Sequence, residues 1–126
     1  MGENTQNQDR YLVNLPYLHE ISGNDLEIEK ELFQIYFEDT YQRLATIQHC
    51  IINDDSKRIG VELHHLKGSS GNVGIEQIAT LVKNLEKEYQ SQNIDNDKIL
   101  GQIKNIYHIL DRVKLVVNEH YGDINI

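Results

Sequence analysis

The stretch Phe33-Gln34-Ile35-Tyr36-Phe37-Glu38-Asp39-Thr40-Tyr41-Gln42-Arg43-Leu44-Ala45-Thr46-Ile47-Gln48-His49-Cys50-Ile51 decides the fold class. Within it Phe33, Phe37, Thr40, Leu44, Ile47 and Ile51 recur at intervals of four, three, four, three and four, which lines one face of an α-helix packed in a bundle. Upstream, Asn24 followed by Glu27 has the spacing of a capping box, so this helix is expected to begin there. Before it, Pro16 opens a short helix through Tyr17, Leu18 and Ile21, and Gly23 stops it. Downstream, Asn53-Asp54-Asp55-Ser56 ends the long helix and offers side-chain caps for the next one.

The same period returns twice. Ile75, Ile78, Val82 and Leu85 mark a helix that fades into the polar run Tyr89-Gln90-Ser91-Gln92-Asn93. From about Asp97, Ile99, Ile103, Ile106, Leu110, Val113 and Val117 mark a last helix that closes near Tyr121. Its many β-branched residues are poor helix formers, so it must depend on packing. No segment sustains strict alternation of apolar and polar residues, so strands are not expected. The pattern predicts an all-α chain, an antiparallel up-down-up-down four-helix bundle with a short additional N-terminal helix. Residues 1–10 read as a flexible tail, 11–121 as the bundle and 122–126 as a short C-terminal tail.

A length of 126 residues fits one hydrophobic core. The formal net charge of −8 argues against nucleic-acid and anionic-membrane partners, which demand clustered cations, and favours proteins. With Cys50 as its single cysteine the chain can form no internal disulfide. Cys50 lies on the core side of the long helix and reads as a small buried hydrophobe, which suits a reducing cytoplasm. No apolar run approaches the ~18 residues of a membrane span, and the polar start lacks a signal-peptide core. A cytoplasmic location is expected.

The chemically loaded segment is His64-His65-Leu66-Lys67-Gly68-Ser69-Ser70-Gly71-Asn72-Val73-Gly74. At about 100° per residue, Lys67, Gly68 and Gly71 surround the direction of His64, and so does Gly60 one turn earlier. Ile59, Leu63, Leu66 and Val73 point the opposite way and form the buried face, so His64 is expected to face outward. Glycine within a helix costs about 1 kcal/mol relative to alanine. The use of the missing side chains is close approach by another surface, here toward an imidazole. Gly60 and Gly71 are therefore candidate partner-binding positions. Ile28, Leu32 and Tyr36 are apolar but lie off the core stripe of the long helix; they form either a docking patch beside His64 or a surface buried against the short first helix. Ser69 and Ser70 serve as small residues at a helix contact or bond back to carbonyls four residues earlier, Ser69 to that of His65.

This segment resembles the motif of the histidine-containing phosphotransfer (HPt) domain family, roughly Ala-His-x-Leu-Lys-Gly-Ser-Ser-Ala-x-x-Gly. The likeness extends to Glu31-Leu32-Phe33, Asp39-Thr40, Leu44, Asn53-Asp54-Asp55 and Leu85-Glu86, and covers about Leu18 to Val117. It implies a four-helix bundle that accepts a phosphoryl group on a histidine from a receiver-domain aspartate and passes it to another. That histidine matches His64, with Lys67 as charge support for the phosphoryl group and Gly68 as steric clearance. His65 lies about 100° away from the glycine face, which favours His64 as the reacting imidazole. Leu63 and Gly71 stand where the family has alanine. The resemblance further implies response-regulator receivers and a hybrid sensor histidine kinase as partners, no cofactor of its own, and a divalent metal such as Mg supplied by the receiver.

The chemistry suits these residues. Imidazole is largely neutral near physiological pH and forms a labile phosphoramidate, as a reversible carrier requires. Phosphoryl transfer depends on alignment and cationic stabilisation, part of which Lys67 can supply. No glycine-rich nucleotide loop is present, so a carrier without kinase activity is expected. Two other readings compete: a non-catalytic adaptor of the same fold that binds receiver or kinase domains, and a metal-binding bundle drawing on His19, His49, His64, His65, His108 and His120. The latter is weak, because the Glu-x-x-His spacing of such bundles occurs only at Glu62 and His65. A monomer is expected from a closed four-helix core. Met1 and the polar N-terminal stretch favour a free-standing protein over a piece of a larger kinase.

Overall fold

Side-chain caps and glycines set the helix boundaries. A computed structural model describes residues 12–124, and among them the chain forms five α-helices and no strand. These are α1 (Leu15–Ser22), α2 (Leu26–Ile52), α3 (Ser56–Asn72), α4 (Glu76–Gln90) and α5 (Asn96–Tyr121). The tail expected over residues 1–10 lies outside the described residues. Asn14 accepts from the Tyr17 N–H at 3.1 Å to start α1, Pro16 sits in its first turn, and Gly23, at φ 67°, ends it as expected. The cap of α2 is one residue later than the spacing predicts. Asn24 takes a left-handed conformation (φ 64°), and Asp25 accepts from the N–H groups of Glu27 and Ile28. Glu27 then stands at the second helical position, too early to close a capping box. Asp55 and Asp95 cap α3 and α5 by accepting from Arg58 N–H at 3.3 Å and Lys98 N–H at 2.8 Å.

The turn between α3 and α4 does more than punctuate. Gly74 has φ +77°, and a Cβ there would lie 3.2 Å from both the Cβ and the carbonyl oxygen of Asn14. The Asn14 N–H donates to the Gly74 carbonyl at 2.8 Å, and its side-chain amide donates to Glu76 at 3.2 Å. The segment ahead of α1 is thereby pinned to this turn, and Leu12 and Val13 are buried.

The apolar stripes pack as their spacing predicts. Phe33, Phe37, Thr40, Leu44 and Ile47 of α2 are buried, as are the four stripe residues of α4 and the six of α5. Ile51 is only partly covered; at that end of α2 the buried position is Cys50, whose carbonyl accepts from the Asp55 N–H at the turn into α3. The long helices touch in a ring, α2 to α3, α3 to α4, α4 to α5 and α5 back to α2, with α1 against α2. The C-terminal tail expected from residue 122 instead belongs in part to the core. Gly122 (φ 80°) turns the chain, Ile124 is buried, and its carbonyl accepts from the Gln34 side chain at 2.8 Å.

Candidate functional site

His64 stands on the outward face of α3, its side chain 68% exposed, because Leu63 and Leu66 on either side of it are drawn into the core. Its Nδ1 lies 3.0 Å from Oε2 of Glu86, and Lys67 Nζ lies 2.8 Å from the other oxygen of the same carboxylate. Glu86 comes from α4, one position after the buried Leu85 and four after Val82, so it sits where the apolar face of α4 meets α3 and is itself 7% exposed. Burial pushes its carboxyl up, but the hydrogen bonds from Lys67 and His64 outweigh that and hold it below the usual carboxylate range. An ionised carboxylate only accepts hydrogen bonds. Nδ1 must therefore carry the proton it donates, and the lone pair of a neutral His64 resides on Nε2.

The glycines divide into two kinds. A Cβ on Gly68 or Gly71 would meet nothing within 4 Å, so these positions leave the face beside His64 open. Gly60 is different: a Cβ there would contact the Tyr89 ring at 3.9 Å, and that ring is held in place by a hydrogen bond from its hydroxyl to the Ser56 carbonyl. Gly60 thus lies against an aromatic side chain of α4, unlike the two open positions.

The apolar residues of α2 also separate. Tyr36 is buried and cannot belong to a docking patch, because its ring turns toward α3 and its hydroxyl bonds Ser70 Oγ at 2.8 Å. Burial pushes its phenol up to about 12. Ile28 is exposed, Leu32 half-buried, and the neighbour of Tyr36, Ile35, is 64% exposed. Ile28, Leu32, Ile35 and Asp39 follow at four, three and four, so a partly exposed stripe runs along α2 to Asp39. Ser69 Oγ donates to the Leu66 carbonyl at 3.3 Å, one residue closer than expected, and Ser70 packs inside as a small contact residue.

Asp39 leads to a second feature. A cleft of about 340 Å³ opens between α2 and α3, walled by Asp39 and Arg43 on one side and by His64, His65, Gly68, Ser69 and Asn72 on the other. Arg43 donates to Asp39 and to Glu62, both at 2.9 Å, and Arg58 donates to Glu62 at 2.8 Å. Both oxygens of the buried Glu62 are therefore taken by arginines, so it has no free oxygen to share with His65 in a metal pair. Among the described residues no three His, Cys, Asp or Glu side chains cluster to hold a metal ion.

The sequence singles out His64, Lys67 and Gly68 as candidates and points to no role for Glu86 or for the Arg43–Glu62–Arg58 network. Arg58 and Glu62 at i, i+4 were a readable signal. Glu86 offered only its place at the margin of an apolar stripe.

The Hpt domain family matches residues 31–114, two-thirds of the chain, including His64, Lys67, Gly68, Glu86 and the cleft. The chain belongs to that family. Comparison with curated proteins and with solved structures returns no match. Hpt domains are phosphocarrier modules of phosphorelays, without kinase activity, that work with receiver domains and kinases. The general role of this chain is accordingly histidine phosphotransfer in signalling. No described helix is long and apolar enough to cross a membrane.

Proposed function

We propose that the chain accepts a phosphoryl group on Nε2 of His64 from a receiver-domain aspartate and hands it to the aspartate of a second receiver. The observation that carries this reading is an exposed imidazole whose Nδ1–H is anchored to a buried, ionised carboxylate beside an open glycine face. In the forward step the Nε2 lone pair forms the N–P bond while the P–O bond of the aspartyl phosphate breaks and its electrons leave with the carboxylate. The imidazole keeps its Nδ1 proton and becomes cationic, and Glu86, 3.0 Å away, stabilises that charge. No proton has to leave. In the reverse step the imidazole departs with the N–P electron pair, neutral again and ready for the next cycle. Lys67, held beside His64 through the same carboxylate, adds positive charge on this flank of the imidazole while the group is being transferred. In this reading the receiver contributes its aspartate and a divalent cation such as Mg, which neutralises phosphoryl charge.

The receiver docks over the open positions Gly68 and Gly71 and along the apolar stripe Ile28, Leu32 and Ile35. An up-down-up-down order of α2 to α5 frames this face, supported by their short connections and ring of contacts. The donor is a hybrid sensor histidine kinase, and the carrier works as a monomer in the cytoplasm, where the buried lone thiol of Cys50 stays reduced.

The test is transfer of radiolabel from a phosphorylated receiver to the purified chain. Wild type should acquire acid-labile, base-stable label, with the phosphorus on Nε2 by NMR. His64→Gln should acquire none at unchanged helix content; label on that variant would overturn the assignment.

A further inference from the structure

His64 has two flanks, and they are built differently. On the α4 side Lys67 and Nδ1 occupy both oxygens of Glu86, and the buried carboxylate would repel a second anion. On the α2 side lies the cleft of about 340 Å³, room for about ten waters at about 30 Å³ each. Nδ1 and Nε2 occupy different edges of the imidazole, so tethering Nδ1 to α4 turns the other edge away from that helix. His64 itself forms part of the cleft wall.

From this geometry we infer that the cleft between α2 and α3 is the resting place of the phosphoryl group once it is on His64, with the side chains of His65 and Asn72 as its hydrogen-bond donors. The inference rests on the phosphocarrier reading and adds what holds the group between partners. Four observations support it. His65 and Asn72 are exposed, line the cleft beside His64, and have rings or amides that can donate. The rings of His64 and His65 lie 6.4 Å apart, close enough for a group extending from Nε2 to meet the second imidazole. Gly68, between them on the wall, adds no side chain that would block the path. The carboxylate that also lines the cleft, Asp39, is matched by the Arg43 guanidinium at 2.9 Å, so the anion is not set against a bare negative charge. Ser69 donates to the Leu66 carbonyl and adds no donor to this set. The second histidine of the His64-His65 pair is therefore a ligand of the phosphoryl group instead of an alternative acceptor. No covalent step occurs in the cleft.

The experiment has two arms. In the first, the chain is phosphorylated without any protein partner by a small phosphoramidate and followed by NMR. Side-chain signals of His65 and Asn72 should shift together with that of His64. If no phosphohistidine forms on His64 under any donor, the carrier reading itself fails. If it forms and only Lys67 and Glu86 respond, or if His65 and Asn72 respond only after a receiver is added, the cleft does not hold the phosphoryl group and the inference is overturned. In the second arm, the transfer equilibrium with a phosphorylated receiver is measured for His65→Ala, Asn72→Ala and the pair. Hydrogen bonds to charged groups are individually substantial, so in this open cleft each loss should lower the equilibrium share of phospho-His64 by about threefold and the pair by about tenfold. An unchanged equilibrium in the double variant contradicts the inference.

Discussion

The molecule contains two histidine–glutamate pairs of almost the same geometry and opposite character. At the end formed by α1, the start of α2 and the end of α5, His19 Nδ1 lies 2.9 Å from Glu29; on α3 and α4, His64 Nδ1 lies 3.0 Å from Glu86. Both carboxylates are buried and both are held below the usual range. What differs is the remainder of each shell. Glu29 also accepts from the hydroxyls of Ser22 and Tyr121, and the His19 ring lies 5.5 Å from His120, its side chain only 28% exposed. Glu86 gives its second oxygen to Lys67 and leaves His64 68% exposed beside bare glycines. A histidine–carboxylate contact alone therefore marks nothing. One pair joins three segments of the fold, and the other presents an exposed imidazole.

Exchanging the two histidines breaks the comparison most sharply. His64→Gln should abolish phosphoryl acceptance with no change in thermal midpoint, whereas His19→Gln should still accept the group while melting earlier. Measuring label uptake and melting on both variants checks this, and loss of uptake in His19→Gln would make the first pair part of the site. The carboxylates follow. Glu29→Ala strands two half-buried hydroxyls and a half-buried imidazole, at a cost of about 1–3 kcal/mol. Glu86→Ala leaves its partners near solvent and should cost less stability, yet slow transfer by tenfold or more, on the order seen when an imidazole loses its orienting group. Chemical denaturation and transfer rates on the same two proteins would show the crossed pattern.

Acid sharpens the contrast. Burial raises both carboxyls, but hydrogen bonds from Ser22, Tyr121 and His19 at Glu29, and from Lys67 and His64 at Glu86, more than offset it. A glutamate with a lowered folded pKa contributes stability above its unfolded value of about 4.3 and loses it as pH falls through the folded value. Thermal midpoints should hold steady down to about pH 5 and fall below about pH 4. Glu29→Gln and Glu86→Gln, which have no proton to take up there, should each flatten that fall. A slope unchanged from wild type in both variants would place the acid sensitivity elsewhere.

The helices and His64 were legible because both follow from position along one helix. The stripe from Phe33 to Ile47, the six residues from Ile99 to Val117, and the outward turn of His64 need only 100° per residue. What stayed hidden required knowledge of how two helices meet. Ile35 lies about 200° round α2 from Phe33 and stays out by period alone, whereas Tyr36, about 60° from Phe33 at the edge of the stripe, goes in against α3 and bonds the Ser70 hydroxyl there. Glu86 is 22 positions from His64, so no local pattern could join them. The pair at Glu29 draws on residues as distant as Tyr121, 92 positions away, and left no mark in the sequence.

The glycines give the smaller effects and separate docking from packing. Gly68→Gln should slow transfer about tenfold by crowding the imidazole with little change in stability, because the side chain enters open space that the partner needs. Gly60→Ala should leave transfer untouched. Its Cβ would make ordinary contact with the Tyr89 ring at 3.9 Å, and the helix gains up to about 1 kcal/mol from replacing glycine. A slightly raised thermal midpoint with a wild-type transfer rate is the expected outcome. A slowed rate would mean that the partner reaches one turn further along α3, and would place Gly60 on the docking face.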